Sequence, residues 1–380
     1  MEPPLWAGLI ASYQGADLLD AEVWNLTLEQ TEKVIRTGAA FSPTYSYGGH
    51  QDVLIVVMGN NPSVSSTPKM PVAEALADRV SDLNVSLTGL HPVAAGSNYP
   101  VIKKPFEGTP IMDWHRLKLP MKSYRAHNWH CLDGTSRSPY ASIYTSLGCP
   151  YDCYYCNIHT LYGGRGVQLR PIGDILYEVM VLDSLYHIRN IKIWDEMFAL
   201  NEDRAVEICS ALERFDLNIW AYARLDTVTE RMLKAMKRGG INWLAYGFES
   251  VTDPKFSDRA EDVIRMTREA GINIIANFMF GLPGTTQEDD EASVEFAKEH
   301  LFEWVNFYDA KPYPGSRWYA DLEHEAANWE DFSQFKDITP FRQRAFQDYF
   351  TKPAYLMMVE GKFGGQAVKQ VEAMLNWRIK

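Results

Sequence analysis

Cysteine is scarce in this chain, with five among 380 residues and no arrangement of pairs. That excludes a disulfide-stapled secreted scaffold and agrees with a reducing, cytoplasmic setting. Long apolar runs are missing too. A stretch such as Val53–Met58 ends after six residues, far short of the roughly 20 that a membrane span needs. The opening, Met1-Glu-Pro-Pro-Leu-Trp, has no basic n-region and does not read as a secretory signal. Positive charge is in deficit: 37 basic against 49 acidic residues leave a formal charge of −12. A balance of that sign gives no general attraction to nucleic acid, so neither nucleic acid nor membrane is expected as a partner. What remains is a globular chain with 46% apolar residues, long enough for two cores.

Three of the five cysteines fall in one short window, Gly148-Cys149-Pro-Tyr-Asp-Cys153-Tyr-Tyr-Cys156-Asn157. Thiolate sulfur selects zinc, copper(I) or iron–sulfur clusters over hard cations. Three ligands leave a fourth position open, which marks a centre that does chemistry rather than architecture. One reading is a structural zinc site completed by His159, three residues past Cys156. Zinc ribbons, however, draw their ligands as two pairs from separated hairpins, and Cys131 and Cys209 each stand alone. A β-branched and aromatic run, Ser142–Ser146, delivers the chain into the loop, and Tyr155 sets an aromatic face beside the third sulfur. An iron–sulfur cluster is the expectation.

From about Ser142 onward, short β-branched runs alternate with helical-period segments, which predicts a parallel sheet with crossover helices, a partial (β/α)6 barrel. Strands are expected at Asn190–Trp194, Asn218–Tyr222, Trp243–Tyr246, Asn273–Phe280 and around Trp304–Tyr308. Asp195, Glu196, Arg224, Glu249 and Gly281 then fall just past the C-terminal ends of strands, the rim where such sheets bind ligands. Upstream, Asp52–Met58, a helix over about Pro71 to Leu83 and Asn84–Thr88 read as a Rossmann-like unit, with small polar residues at the strand ends. The class is α/β. The expected division is a Rossmann-like domain over 1–92, a linker over 93–137, the barrel over 138–310 and a C-terminal helical extension over 311–380.

CxxxCxxC with an aromatic before the last cysteine resembles the signature of radical S-adenosylmethionine (SAM) enzymes. The resemblance implies that Cys149, Cys153 and Cys156 hold three irons of a 4Fe-4S cluster, while SAM chelates the fourth. It also implies an external flavodoxin- or ferredoxin-like electron donor, and a 5′-deoxyadenosyl radical that abstracts hydrogen from a small-molecule or peptide substrate. Trp194–Asn201 resembles the segment that approaches the SAM amine, with Asp195-Glu196 where Gly-Gly-Glu is common. Arg224 matches a basic position that pairs with the SAM carboxylate, a task suited to a guanidinium fork. Gly247-Phe-Glu249-Ser250 resembles the GxES segment that contacts polar parts of SAM. Phe278–Gly284, including Phe280 and Gly281, resembles the strand segment that backs the adenine, on which Tyr155 would also pack.

The order of segments before the barrel resembles the cobalamin-binding domain of one large radical SAM branch. The matching pieces are Pro3-Pro4, Asp20-Ala-Glu22, the loop with Ser63, Ser66 and Thr67, and Gly89-Leu-His91-Pro92. This implies cobalamin as a further cofactor and methyl transfer to an unactivated carbon. The domain would be truncated, because the strand carrying the corrin-facing loop would precede Met1 in that pattern. No DxHxxG motif supplies an axial His, and His91 reads as a solvated turn residue. A corrin-free radical SAM oxidoreductase or cyclase and a non-enzymatic zinc-stabilised binding protein are the alternatives.

Overall fold

A computed structural model describes residues 1–38, 51–58, 67–253, 256, 259–322 and 338–375. The chain divides into two compact units, and each draws on separated stretches of sequence. The first comprises Met1–Arg125, Tyr140–His187 and Pro312–Phe332; the second comprises Ala126–Pro139, Ile188–Lys311 and Ser333–Lys380. The expected linker over 93–137 is therefore no linker, since it is shared between the units. Long-range bonds account for its ordering. Within the first unit the Tyr124 hydroxyl donates to buried Asp20 at 2.8 Å and the Trp114 indole N–H donates to Glu178 at 2.5 Å. In the second, the Ala126 N–H donates to the Arg137 carbonyl at 2.8 Å.

The first unit opens with helices α1 (Leu5–Gln14) and α2 (Leu28–Thr37). Thr27 and Gln30 close a reciprocal capping box at the start of α2, satisfying two backbone donors that the first turn leaves open. Strand β1 (Asp52–Val56), helix α3 (Met70–Arg79) and strand β2 (Asn84–Thr88) form one parallel βαβ unit, paired from Asp52↔Asn84 to Val56↔Thr88. Val57, Ala73, Ala77, Val80 and Leu87 fill its core. Among the described residues, the Rossmann-like domain expected over 1–92 is represented by this single βαβ unit. A short helix α4 (Leu90–Ala95) follows. After α5 (Trp114–Leu117) come strand β3 (Tyr140–Ile143), the two-residue strand β4 (Ser146–Leu147), helix α6 (Ile158–Tyr162), strand β5 (Gln168–Leu169) and helix α7 (Ile172–Tyr186).

The second unit alternates strand and helix: β6 (Asn190–Ile193), α8 (Glu202–Leu212), β7 (Asn218–Arg224), α9 (Glu230–Arg238), β8 (Ile241–Glu249), α10 (Arg259–Glu269), β9 (Asn273–Phe280), α11 (Gln287–His300) and β10 (Trp304–Asp309). Its five strands are parallel neighbours in chain order. Three further helices, Thr339–Phe350, Pro353–Phe363 and Gly365–Leu375, follow. Because successive side chains in a strand point to opposite faces, the register sorts the sheet into two populations. Ala223, Tyr246, Ala276 and Val305 form one fully buried row. One residue further along, Arg224, Gly247, Asn277 and Asn306 form a half-buried polar row on the other face.

The opposite, N-terminal end of these strands is closed by amides and indoles. Asn218 donates to the Asn190 side chain at 2.9 Å, and Asn242 donates to Asn218 at 3.0 Å. Trp129 stacks on His127 and lies within 5.2 to 5.4 Å of the Trp220 and Trp243 rings. In parallel α/β sheets such an end carries stability, and the C-terminal edge carries ligands.

Candidate active site

The cysteine loop lies between β4 and β5, which pair antiparallel as Ser146↔Leu169 and Leu147↔Gln168 and so close its base. Gly148 adopts φ +96°, and a Cβ built there would stand 2.4 Å from the Gly166 carbonyl. Only glycine allows both that conformation and that approach. Cys149, Cys153 and Cys156 form no disulfide and are half-exposed, and the Cys156 N–H donates to the Cys153 carbonyl at 3.0 Å. His159, the alternative zinc ligand, has its Nε2 in hydrogen-bond contact with the Tyr151 carbonyl.

A later stretch of chain clasps the same loop. The Trp318 N–H donates to the Tyr154 carbonyl at 2.9 Å, and the Asn157 amide donates to the Pro314 carbonyl at 3.0 Å. Asp152 accepts from both Arg165 and Arg317, the latter at 3.0 Å. The two remaining cysteines are of a different kind. Burial pushes the Cys209 thiol up to about 12 and also raises Cys131, whose thiol meets the Asn190 side chain at 3.5 Å. Both are core residues that remain protonated.

In the second unit, the polar row sits near the C-terminal edge of the sheet. Asp226 grips the Arg224 guanidinium with both oxygens, at 2.8 and 2.7 Å, and so orients the fork. The pairing of β8 with β9 shifts register between Gly247 and Glu249, and Glu249 takes φ +60°. Such a bulge re-aims a side chain at a strand end. The Glu249 carboxylate folds over Gly247, where a Cβ would lie 2.4 Å from its Oε1. Asn306 donates to Asn277 at 2.9 Å, and Asn277 donates to the Tyr246 carbonyl at 3.1 Å. Burial raises the Tyr308 phenol well above its ordinary range, with Tyr222 and Glu249 acting in the same direction.

Residues 143–297 match the family model described as the radical SAM superfamily. The chain carries a radical SAM domain. Over 265 residues it is 27% identical to an uncharacterized methyltransferase of Pyrococcus horikoshii, covering 63% of this chain and 55% of that protein. Over 225 residues it is 26% identical to the cytidylyl-2-hydroxyethylphosphonate methyltransferase of Streptomyces wedmorensis, covering 54% and 41%. The chain thus spans about half the length of the curated relatives it matches. Among solved structures it resembles the radical SAM methyltransferase TsrM from Kitasatospora setae, with cobalamin and a [4Fe-4S] cluster bound. The TM-score is 0.60 at 13% identity, over 84% of this chain and 74% of that one, a likeness of fold.

The donor chemistry of the radical SAM loop suits a cluster. A cuboidal cluster asks for separate irons, each bound by a thiolate. Cys149, Cys153 and Cys156 provide that donor set on one braced loop, with Tyr155 half-exposed between the second and third sulfurs. The radical SAM superfamily match and the methyltransferase names of the relatives support an enzyme.

The other expected site residues of the radical SAM domain divide by environment. Asp195 is buried; burial lowers the Arg204 guanidinium of α8 from its ordinary value, and the Asp195 and Glu207 charges oppose that shift, while Glu196 is half-buried. Ser250 is buried, its hydroxyl 3.0 Å from that of Thr252. The Gly281 N–H donates to Asp290 at 3.1 Å, and Ile338 lies directly over its Cα. Phe280 differs from expectation. Its ring is fully buried against Phe307 and Phe341, in the packing of the helices, because alternation places it opposite to the face of Asn277 and Met279. Sequence reading missed Lys192, Asn277, Asn306 and Tyr308. The signal was the same alternation: each polar residue interrupts an otherwise apolar strand. Lys192 is fully buried, its ammonium 4.8 Å from the Trp220 ring centroid.

Of the residues assigned to cobalamin, Ser63 and Ser66 lie outside the described residues. The Thr67 hydroxyl accepts the Met58 N–H at 3.1 Å. Gly89 has φ +106°, and a Cβ there would meet the Val57 carbonyl at 2.4 Å. His91 is not a solvated turn residue. It sits on α4 and is only 4% exposed, and burial lowers its imidazole from 6.5 to about 4. The unfolded chain then takes up a proton that the folded chain refuses, so stability present above pH 6.5 is lost as pH falls toward 4. Thermal and urea unfolding of the protein should show about 2 kcal/mol lost between pH 7 and pH 5, and His91→Gln should flatten that slope. An equal slope in the variant counts against the assignment.

Proposed function

We propose that this chain is a radical SAM methyltransferase that uses cobalamin to place a methyl group on an unactivated carbon of a small molecule or peptide. The observation that carries the reading is the contrast among its cysteines. Three accessible thiols share one loop held by glycine geometry and by residues 314–318, while the other two are buried and unreactive. The methyltransferase names of the relatives support the reaction class. A bound 4Fe-4S cluster would supply the electron for reductive cleavage of SAM, the chemistry that initiates hydrogen abstraction.

This chain's residues would hold and orient. Cys149, Cys153 and Cys156 would ligate the cluster. Arg224, aimed by Asp226, would pair with the SAM carboxylate in a two-pronged contact. Glu249, Asp195 and Glu196 would accept hydrogen bonds from the amine and ribose, and Tyr155 would stack on the adenine. Ser250 and Gly281 would shape the segments beside them. Asn277, Asn306 and the protonated Tyr308 phenol offer further hydrogen-bonding groups on the same sheet face. The corrin would lie against the C-terminal ends of β1 and β2, where Thr67 and Gly89 stand; buried His91 would not ligate cobalt. A flavodoxin- or ferredoxin-like protein would supply the electron, in a reducing cytoplasm.

Methyl-labelled SAM tests the reading without knowledge of the substrate. Reconstituted protein loaded with reduced cobalamin should form labelled methylcobalamin and, under cluster-reducing conditions, release 5′-deoxyadenosine. Release of 5′-deoxyadenosine with all label retained in methionine would instead identify corrin-free radical chemistry.

A further inference from the structure

Outside the residues assigned to the reaction, the first unit buries an ion pair. Arg170 and Glu178 are bonded to each other with side-chain exposures of 0% and 1%. Arg170 directly follows β5, and Glu178 lies on α7. The Arg170 guanidinium also donates to the Tyr144 carbonyl at 3.1 Å and to the Asp174 carbonyl at 3.2 Å, and lies 4.9 Å from the Tyr144 ring centroid. Its backbone N–H donates to the Thr145 carbonyl at 3.0 Å. Glu178 accepts the Trp114 indole N–H with its other oxygen, while the Tyr144 hydroxyl donates to the Pro110 carbonyl.

A buried pair of this kind is a poor device for stability alone, because apolar residues of similar volume do as well or better. Its value lies in fixing one arrangement over its alternatives. Here the fixed object is the strand that runs into Cys149. Arg170 holds the carbonyls of Tyr144 and Thr145 from the far side of the β4–β5 ribbon, so both ends of the cysteine loop are tied to one rigid point on α7. We propose that Arg170, Glu178 and Trp114 form a positioning triad that sets the register of the β4–β5 ribbon and hence the placement of Cys149 relative to Cys153 and Cys156. The proposal rests on the cluster reading of those thiols.

The test uses the full chain, reconstituted anaerobically with iron and sulfide. Wild-type protein should take up four irons and show a reduced-cluster EPR spectrum that changes when SAM is added; failure at this step refutes the cluster reading itself and thereby the triad. The double variant Arg170→Met with Glu178→Leu removes both charges together. It should keep the circular dichroism and melting temperature of the apoprotein yet bind SAM about tenfold or more weakly, with a diminished SAM-induced EPR change. SAM affinity and EPR change equal to wild type in a folded double variant overturn the proposal. Should that variant not fold, Trp114→Phe removes one donor only. Weakened SAM binding at unchanged iron content supports the triad, and unchanged SAM binding overturns it. Restoration of the EPR change in Arg170→Lys, beyond that in Arg170→Met, supports charge-assisted positioning; equal defects in the two overturn it.

Discussion

Cys153→Ala should yield a protein that, after anaerobic reconstitution, lacks the broad brown absorption of a reducible cluster and does not release 5′-deoxyadenosine from SAM. The expected loss is at least about a thousandfold, equivalent to roughly 4 kcal/mol of barrier. Two thiolates leave a second corner of the cluster without a protein ligand, so it is both less retained and wrongly poised. The informative comparison is with Cys209→Ala. That thiol is fully buried and held protonated, so its removal should cost some packing stability and leave iron content and SAM cleavage unaltered. Retention of cluster and cleavage in Cys153→Ala would remove the loop from the reaction. Colorimetric iron and sulfide assays with a chromatographic 5′-deoxyadenosine assay decide between these outcomes.

Gly148→Ala should weaken cluster retention without touching a ligand. A side chain at φ +96° is strained, and its Cβ would stand 2.4 Å from the Gly166 carbonyl, an approach that real side chains do not make. Backbone strain of about 1 to 3 kcal/mol and a comparable overpacking cost cannot both be absorbed locally. The ribbon at the base of the loop must open. Iron retained after desalting is expected to fall below about half of wild type, with a lowered melting temperature. Gly108→Ala is the matched control. It also has positive φ, at +64°, but its built Cβ meets nothing within 4 Å, so it should cost only about 1 kcal/mol and leave iron content intact. Equal iron retention in the two variants would show that the Gly148–Gly166 contact does not hold the loop.

Much of the second unit was legible because its elements are written in local pattern. Helices at Glu230–Arg238 and Gln287–His300, and the strand Asn273–Phe280, lie where periodicity and stop signals place them, as does Ile172–Tyr186 in the first unit. Asn201 caps α8, its side chain accepting the Arg204 N–H at 2.9 Å. The cysteine spacing announced the chemistry for the same reason: three ligands within one loop are visible without a fold. What escaped was long-range. Trp114 meets Glu178 across 64 residues, and Arg317 meets Asp152 across 165, and no periodicity encodes either. The region from 93 to 137 looked like a connector because its proline-broken segments have no repeating pattern of their own. It is ordered by partners elsewhere in the chain. Phe280 misled for a geometric reason, since a strand next to a binding edge still sends alternate residues to the helices.

The clasp of residues 314–318 on the cysteine loop bears on when the metal can be installed. A ribosome that has released the three cysteines has yet to synthesise the segment that holds their backbone in place. Until residues 314–318 have emerged, the thiols lie on a ribbon that lacks its clasp. On the cluster reading, a finished loop would be there to receive the metal only after this region has been translated.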